Sequence, residues 1–169
     1  MTNMPPDYWQ SPPPRRHPEG RWIWVVFSIV LASGAMALDL GQPTPMEIIA
    51  IKVGGVPLTV EVANHPAARA LGLQGREALA ENAGMLFVYP RAKRLRFWMK
   101  DTPIDLDIGF FDDQGRLLEV LSMSAFHERP HYVSSAPAKY ALEVNRGWFA
   151  ANRISEHSRL ELASPLAAW

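Results

Sequence analysis

Phe97-Trp98-Met99-Lys100-Asp101-Thr102-Pro103-Ile104-Asp105-Leu106-Asp107-Ile108-Gly109-Phe110-Phe111 is the stretch on which the fold turns. From Ile104 onward it alternates. Ile104, Leu106, Ile108 and Phe110 share one face of an extended strand, and Asp105, Asp107, Gly109 and Phe111 share the other, because successive strand side chains point to opposite sides. Residues 141–145 repeat the pattern: Leu142 and Val144 oppose Ala141, Glu143 and Asn145. Each strand is expected to give the core an apolar face and to carry its acids on a polar one.

Outward from this stretch, most segments also read as strand. Asp112-Asp113-Gln114-Gly115 is a polar turn into a strand over 117–123. Upstream lie strands over 85–89 and 96–99, and downstream one over 159–162. Residues 48–53 and 56–62 are β-branched runs around Gly54-Gly55, a pair that supplies the positive φ of a tight hairpin. Asn64 as N-cap, Pro66 near the first helical position and Gly72 as a stop predict a short helix between the strand groups. A second helical piece is expected over 76–81. The fold class is therefore mainly β (α+β): a compact antiparallel β-sandwich or partly open barrel of about eight strands with one or two short helices.

The first part of the chain reads differently. Residues 1–21 hold six of the fifteen prolines, a density expected to leave a disordered cytoplasmic tail. Arg15, Arg16 and Arg21 then precede the uncharged run WIWVVFSIVL, residues 22–31, and the small-residue ending Ala35-Met36-Ala37. That order predicts a signal peptide over 22–37, cut after Ala37, or a membrane anchor over 22–38. The arginines stay on the cytoplasmic side in either case. Residues 38–46 read as a linker, 47–162 as the β-rich domain and 163–169 as a C-terminal tail. The expected location is extracytoplasmic or periplasmic.

Composition narrows the function. The chain of 169 residues has 17 basic and 17 acidic groups, and loss of the leader leaves about one net negative charge. Such a domain has no field to gather nucleic acid or anionic lipid. With no cysteine there is no disulfide scaffold, thiolate metal site or cysteine nucleophile. Ser134-Ser135 lacks the surroundings of a serine hydrolase, glycine-rich phosphate loops are absent, and Pro130 between His127 and His131 breaks any helical zinc pair. No cofactor and no metal are implied.

Several chemistry-bearing groups remain. Residues 91–100 place five basic side chains among aromatics, an arrangement able to hold an anion or stack on a sugar. Asp105 and Asp107 lie about 6.5–7 Å apart along one strand face. They can serve as an acid pair, or as ion-pair partners of Arg69, Arg96 or Lys100. Glu143 and Asn145 can complete a cleft with Trp98, Lys100 and Asp105, or merely fix the turn at Gly147. The candidate binding residues are thus Arg69, Trp98, Lys100, Asp101, Asp105, Asp107, Glu143 and Asn145. The expected function is a non-catalytic binding or accessory module of the cell envelope, for a small polar or carbohydrate-like ligand or a protein partner. A carboxylate-based enzyme acting on envelope glycans and a purely structural interaction module are the alternatives.

The series Leu71-Gly72-Leu73, Gly84-Met85-Leu86-Phe87, Phe97-Trp98-Met99-Lys100-Asp101-Thr102, Ile104-Asp105-Leu106-Asp107 and Leu142-Glu143-Val144-Asn145-Arg146-Gly147 resembles the family called domain of unknown function 192. The likeness spans about residues 47–162. It implies an extracytoplasmic, mainly β domain, and no catalytic residue, since the family has no established activity. Gln74 stands where the family usually has Met. Ile154-Ser155-Glu156-His157-Ser158 replaces its usual glycine-containing turn and Asp.

Overall fold

The computed structural model describes residues 46–169 except Pro130. The expected tail and signal or anchor over 1–37, and nearly all of the linker, lie outside the described residues. Among the described residues, no helix is long and apolar enough to cross a membrane.

In chain order the elements are β1 (Ile48–Val53), β2 (Val56–Ala63), α1 (Pro66–Leu71), β3 (Ala83–Lys93), β4 (Arg96–Phe97), β5 (Leu106–Phe111), β6 (Leu117–Met123), β7 (Tyr132–Val133), β8 (Ala138–Asn145), α2 (Trp148–Ala151) and β9 (Leu160–Glu161). Seven strands form one curled sheet in the order β6-β5-β8-β3-β2-β1-β9, and β4 and β7 form a separate ribbon. The fold is mainly β, as expected, and of the two architectures it is the partly open barrel. All neighbours are antiparallel except β2 and β3, which run parallel with α1 in the crossover between them.

The edges of the sheet meet at one end. Arg116 and Arg159 form an isolated bridge, Leu117 N–H donates to the Ser158 carbonyl at 3.1 Å, and Leu160 N–H donates to the Gly115 carbonyl at 2.8 Å. Gly115 has φ +75°, and a Cβ there would stand 2.8 Å from the Leu160 carbonyl oxygen. Glycine is thus required twice, for the turn and for the close approach of the two edges.

Two apolar cores flank the sheet. The inner one gathers Ile51, Val53, Val60, Leu86, Phe111, Leu142, Val144, Trp148 and Phe149. The outer one gathers Leu73, Met85, Phe87, Phe97, Met99, Leu106, Ile108, Phe110 and Met123 beneath α1 and the β4–β7 ribbon. The central strands β3, β5 and β8 are therefore covered on both sides. This corrects the expected division into one apolar and one polar face: Asp107 and Glu143 are 5% and 4% exposed, not solvent-facing acids.

Other local expectations shift. His65, not Asn64, is the N-cap of α1, its Nδ1 accepting from Ala68 N–H at 3.3 Å, with Pro66 opening the helix. No helix forms over 76–81. The Leu79 and Ala80 carbonyls accept from the Asn145 side-chain amide at 3.2 and 3.0 Å, so they serve the sheet rather than a helical ladder. Residues 163–169, expected as a tail, are tied at their end, where Trp169 N–H donates to the Asn64 carbonyl at 3.1 Å.

Candidate functional site

The 97–99 stretch alternates about the β4–β7 ribbon, which pairs Phe97 with Tyr132. Phe97 turns inward and meets Phe87 edge-on with centroids 4.9 Å apart, and Met99 is also buried. Trp98 turns outward. It is 46% exposed, stacks on His131 at 6.0 Å and has the Lys100 ammonium 5.8 Å from its ring.

Trp98 lies on the wall of a cavity of about 220 Å³. The end of α1 and the turn after it, residues 69–74, make one side. Phe87 and Tyr89 of β3, Arg96 and Phe97 of β4, and Thr102 make the rest, and Glu143 of β8 lies within. Gly72, at φ +53°, ends α1 beside the Phe87 ring.

Glu143 is the chemically unusual member. In register it stands between Met85 of β3 and Ile108 of β5, on the face of the outer core. Among the described residues no hydrogen-bond donor reaches its carboxyl and no cation pairs with it. Burial alone pushes its pKa up from 4.5 to about 8, because the ionised form loses its hydration with no compensating contact. No buried side-chain polar atom of the described residues is sealed away without a partner, so its oxygens reach the open space of the cavity.

Arg69 is already engaged. Its guanidinium donates to the Val88 carbonyl at 2.9 Å and to the Trp169 main-chain oxygen at 2.7 Å, and lies 4.9 Å from the centre of the Tyr89 ring. Tyr89 has its pKa raised by burial; the Arg69 charge opposes this and Glu143 adds to it.

The structure gathers Arg69, Trp98 and Glu143 on one cavity and places the other five candidates elsewhere. Lys100 is exposed beside Trp98, outside the cavity lining. Asp101 has φ +50°, and its carbonyl accepts from Gly75 N–H at 2.7 Å, fastening two turns together. Asp105 pairs with Arg146 at 3.0 Å and accepts from Ala125 N–H at 2.8 Å. Asp107, registered opposite Val144, lies on the inner side of the sheet. It accepts from Ser122 Oγ at 2.7 Å and from Gly147 N–H at 2.8 Å. Asn145 shares the face of Glu143, but its amide secures residues 79–80. The joint cleft of Glu143, Asn145, Lys100 and Asp105 is thus not assembled. Nor is a two-carboxylate arrangement: Asp105 and Asp107 are each held by protein partners, and Asp107 and Glu143 occupy opposite faces of the sheet.

Sequence reasoning passed over Tyr89, Phe87, Phe97 and Thr102. The parity of Met85, Phe87 and Tyr89 along β3 was the available signal, since it sets them on the face that Glu143 shares. Among the described residues, no three His, Asp or Glu side chains are grouped as metal ligands.

With this geometry fixed, the known relatives can be placed. The family model DUF192, described as Uncharacterized ACR, matches residues 49–162. The chain belongs to the DUF192 family. Two solved structures share the fold. One is a Sinorhizobium meliloti 1021 protein, provisionally described as a transcription regulator, at 29% identity and a TM-score of 0.67, over 71% of this chain and 97% of that one. The other is a protein of unknown function from Novosphingobium aromaticivorans DSM 12444, at 27% identity and a TM-score of 0.65, over 69% of this chain and 86% of that one. No curated protein matches the chain significantly.

Proposed function

We propose that this DUF192 protein is a non-catalytic binding module of the cell envelope, and that a small polar ligand occupies the cavity above Glu143. One observation carries the reading: a buried carboxyl without a protein partner opens onto a space lined by rings and by Arg69 and Arg96. Burying a polar group without a hydrogen bond costs free energy. A ligand that supplies the missing bond recovers that cost. The volume, about 220 Å³, is below the roughly 300–1,000 Å³ of pockets for drug-sized molecules, so the occupant is small. Carboxylate chemistry on a glycosidic bond finds less support, because it needs two carboxyls facing one substrate.

The envelope assignment rests on the sequence of the leader, with its positive flank, apolar run and small-residue ending.

Thermal denaturation of the full chain with monosaccharides, amino acids and small carboxylic acids tests the binding reading. A ligand present at a hundred times its Kd stabilises by about 2.7 kcal/mol and raises the Tm. Ala70 is exposed and lines the cavity. Ala70→Trp should leave the ligand-free Tm nearly unchanged and abolish the ligand-induced shift. No shift from any compound, or one that persists in Ala70→Trp, contradicts the reading.

A further inference from the structure

The groups around Glu143 say which ligand chemistry completes the site. The charged or titratable groups lining the cavity with it are Arg69 from α1, Tyr89 from β3 and Arg96 from β4. Neither arginine forms an ion pair with Glu143. Arg96 is exposed at the rim, its guanidinium 3.5 Å from His131 Nδ1. The lining includes the buried rings of Phe87 and Phe97 and the partly exposed rings of Tyr89 and Trp98. Aromatic faces carry negative charge density and attract cations. Charge therefore runs from a buried carboxyl among rings to the exposed guanidinium of Arg96, with Arg69 half-buried beside Tyr89.

We propose that the ligand is a small zwitterion of the amino-carboxylate class, its ammonium group paired with Glu143 among the rings and its carboxylate held at the rim by Arg96 and the field of Arg69. This rests on the binding reading above and narrows it. A neutral sugar would satisfy Glu143 by hydrogen bonds but bring no charge to match the guanidinium groups. A simple anion would match the guanidinium groups and accept a hydrogen bond from the neutral carboxyl, but it would bring no cation to the ring faces and cause no proton release.

The pairing has a consequence for protons. In the free protein burial keeps Glu143 protonated up to about pH 8. An ammonium ion beside it favours the ionised form, so at pH 7 binding transfers the Glu143 proton to the buffer while the ligand keeps its charge. Neutral and anionic ligands leave that proton in place.

Titration calorimetry of the full chain at pH 7 with the free α-amino acids, in phosphate and in Tris, reads affinity and proton release together. N-acetyl amino acids, amino alcohols and glucose are the comparison probes. At least one amino acid is expected to bind with release of roughly nine-tenths of a proton. N-acetylation should weaken it at least tenfold. Glu143→Gln should weaken it similarly and remove the buffer dependence. Arg96→Ala, at an exposed position, gives a readout that does not depend on the core. It should weaken amino-acid binding several-fold and leave the amino alcohols unchanged.

Equal binding of N-acetyl derivatives, or of glucose without proton release, overturns the zwitterion assignment and leaves the binding reading standing. Absence of binding by every probe, together with no thermal shift from any compound in the wider panel, overturns both.

Discussion

Glu143 makes stability depend on pH in the direction opposite to a salt-bridged acid. Its folded pKa is about 8, against an ordinary 4.5. Between those values the folded chain holds a proton that the unfolded chain has released. Stability is therefore lost as pH rises through this window. The shift corresponds to an order-of-magnitude cost of about 5 kcal/mol above pH 8. Urea unfolding at pH 5 and pH 9 should show the wild type weaker at the higher pH. Glu143→Gln should remove most of that difference, because an amide does not titrate. A slope unchanged by the substitution would assign the effect to other groups. Asp107 behaves differently, since both its oxygens are used. Asp107→Ala leaves Gly147 N–H and Ser122 Oγ without their acceptor, and is expected to cost about 2–3 kcal/mol in the same assay. A loss under about 0.5 kcal/mol would show that water replaces the carboxylate there.

At the level of strands and helices, the sheet depends on close approaches that only glycine allows. Phe149 of α2 packs over Gly109 of β5, where an added Cβ would lie 2.5 Å from the ring. Gly109→Ala should destabilise by about 1–3 kcal/mol as the ring is displaced. Retention of the wild-type melting temperature would mean that α2 moves freely. That contact also shows the limit of the sequence. Alternation in 104–111 correctly marked a strand. It could not reveal that α2, a single turn whose sequence is Trp148-Phe149-Ala150-Ala151, covers the strand's second face. An element that short leaves no periodic pattern. For the same reason Asp107 and Glu143 read alike, as acids on polar faces. Register separates them: one meets donors on the inner side, the other meets the outer core and a cavity. Trp98, Arg69 and Glu143 were legible as candidates from residue type. Tyr89 was not, because its contribution comes from packing beside Arg69, twenty residues away in the chain.

For the molecule as a whole, closure rests on the junction of Gly115 with Leu160. Gly115→Val should both strain the turn and force the edges apart. We expect a loss of more than about 2 kcal/mol, with hydrogen exchange accelerating first in β6 and β9. Uniform acceleration across the sheet would show that the barrel does not open at this seam. The leader carries the proposal about location. Fractionation of cells producing the full chain, combined with N-terminal sequencing, should find the domain outside the cytoplasm, either cut after Ala37 or retained in the membrane. Intact protein in the cytosol would overturn that assignment without touching the cavity.

The cavity account depends most directly on the state of one carboxyl. Carbon-detected NMR of the Glu143 side chain in the full chain, followed from pH 4 to pH 10, reads its protonation. A midpoint at about 8 is the predicted result. A midpoint near the ordinary 4.5 would mean that Glu143 is hydrated or already partnered, and would contradict the account.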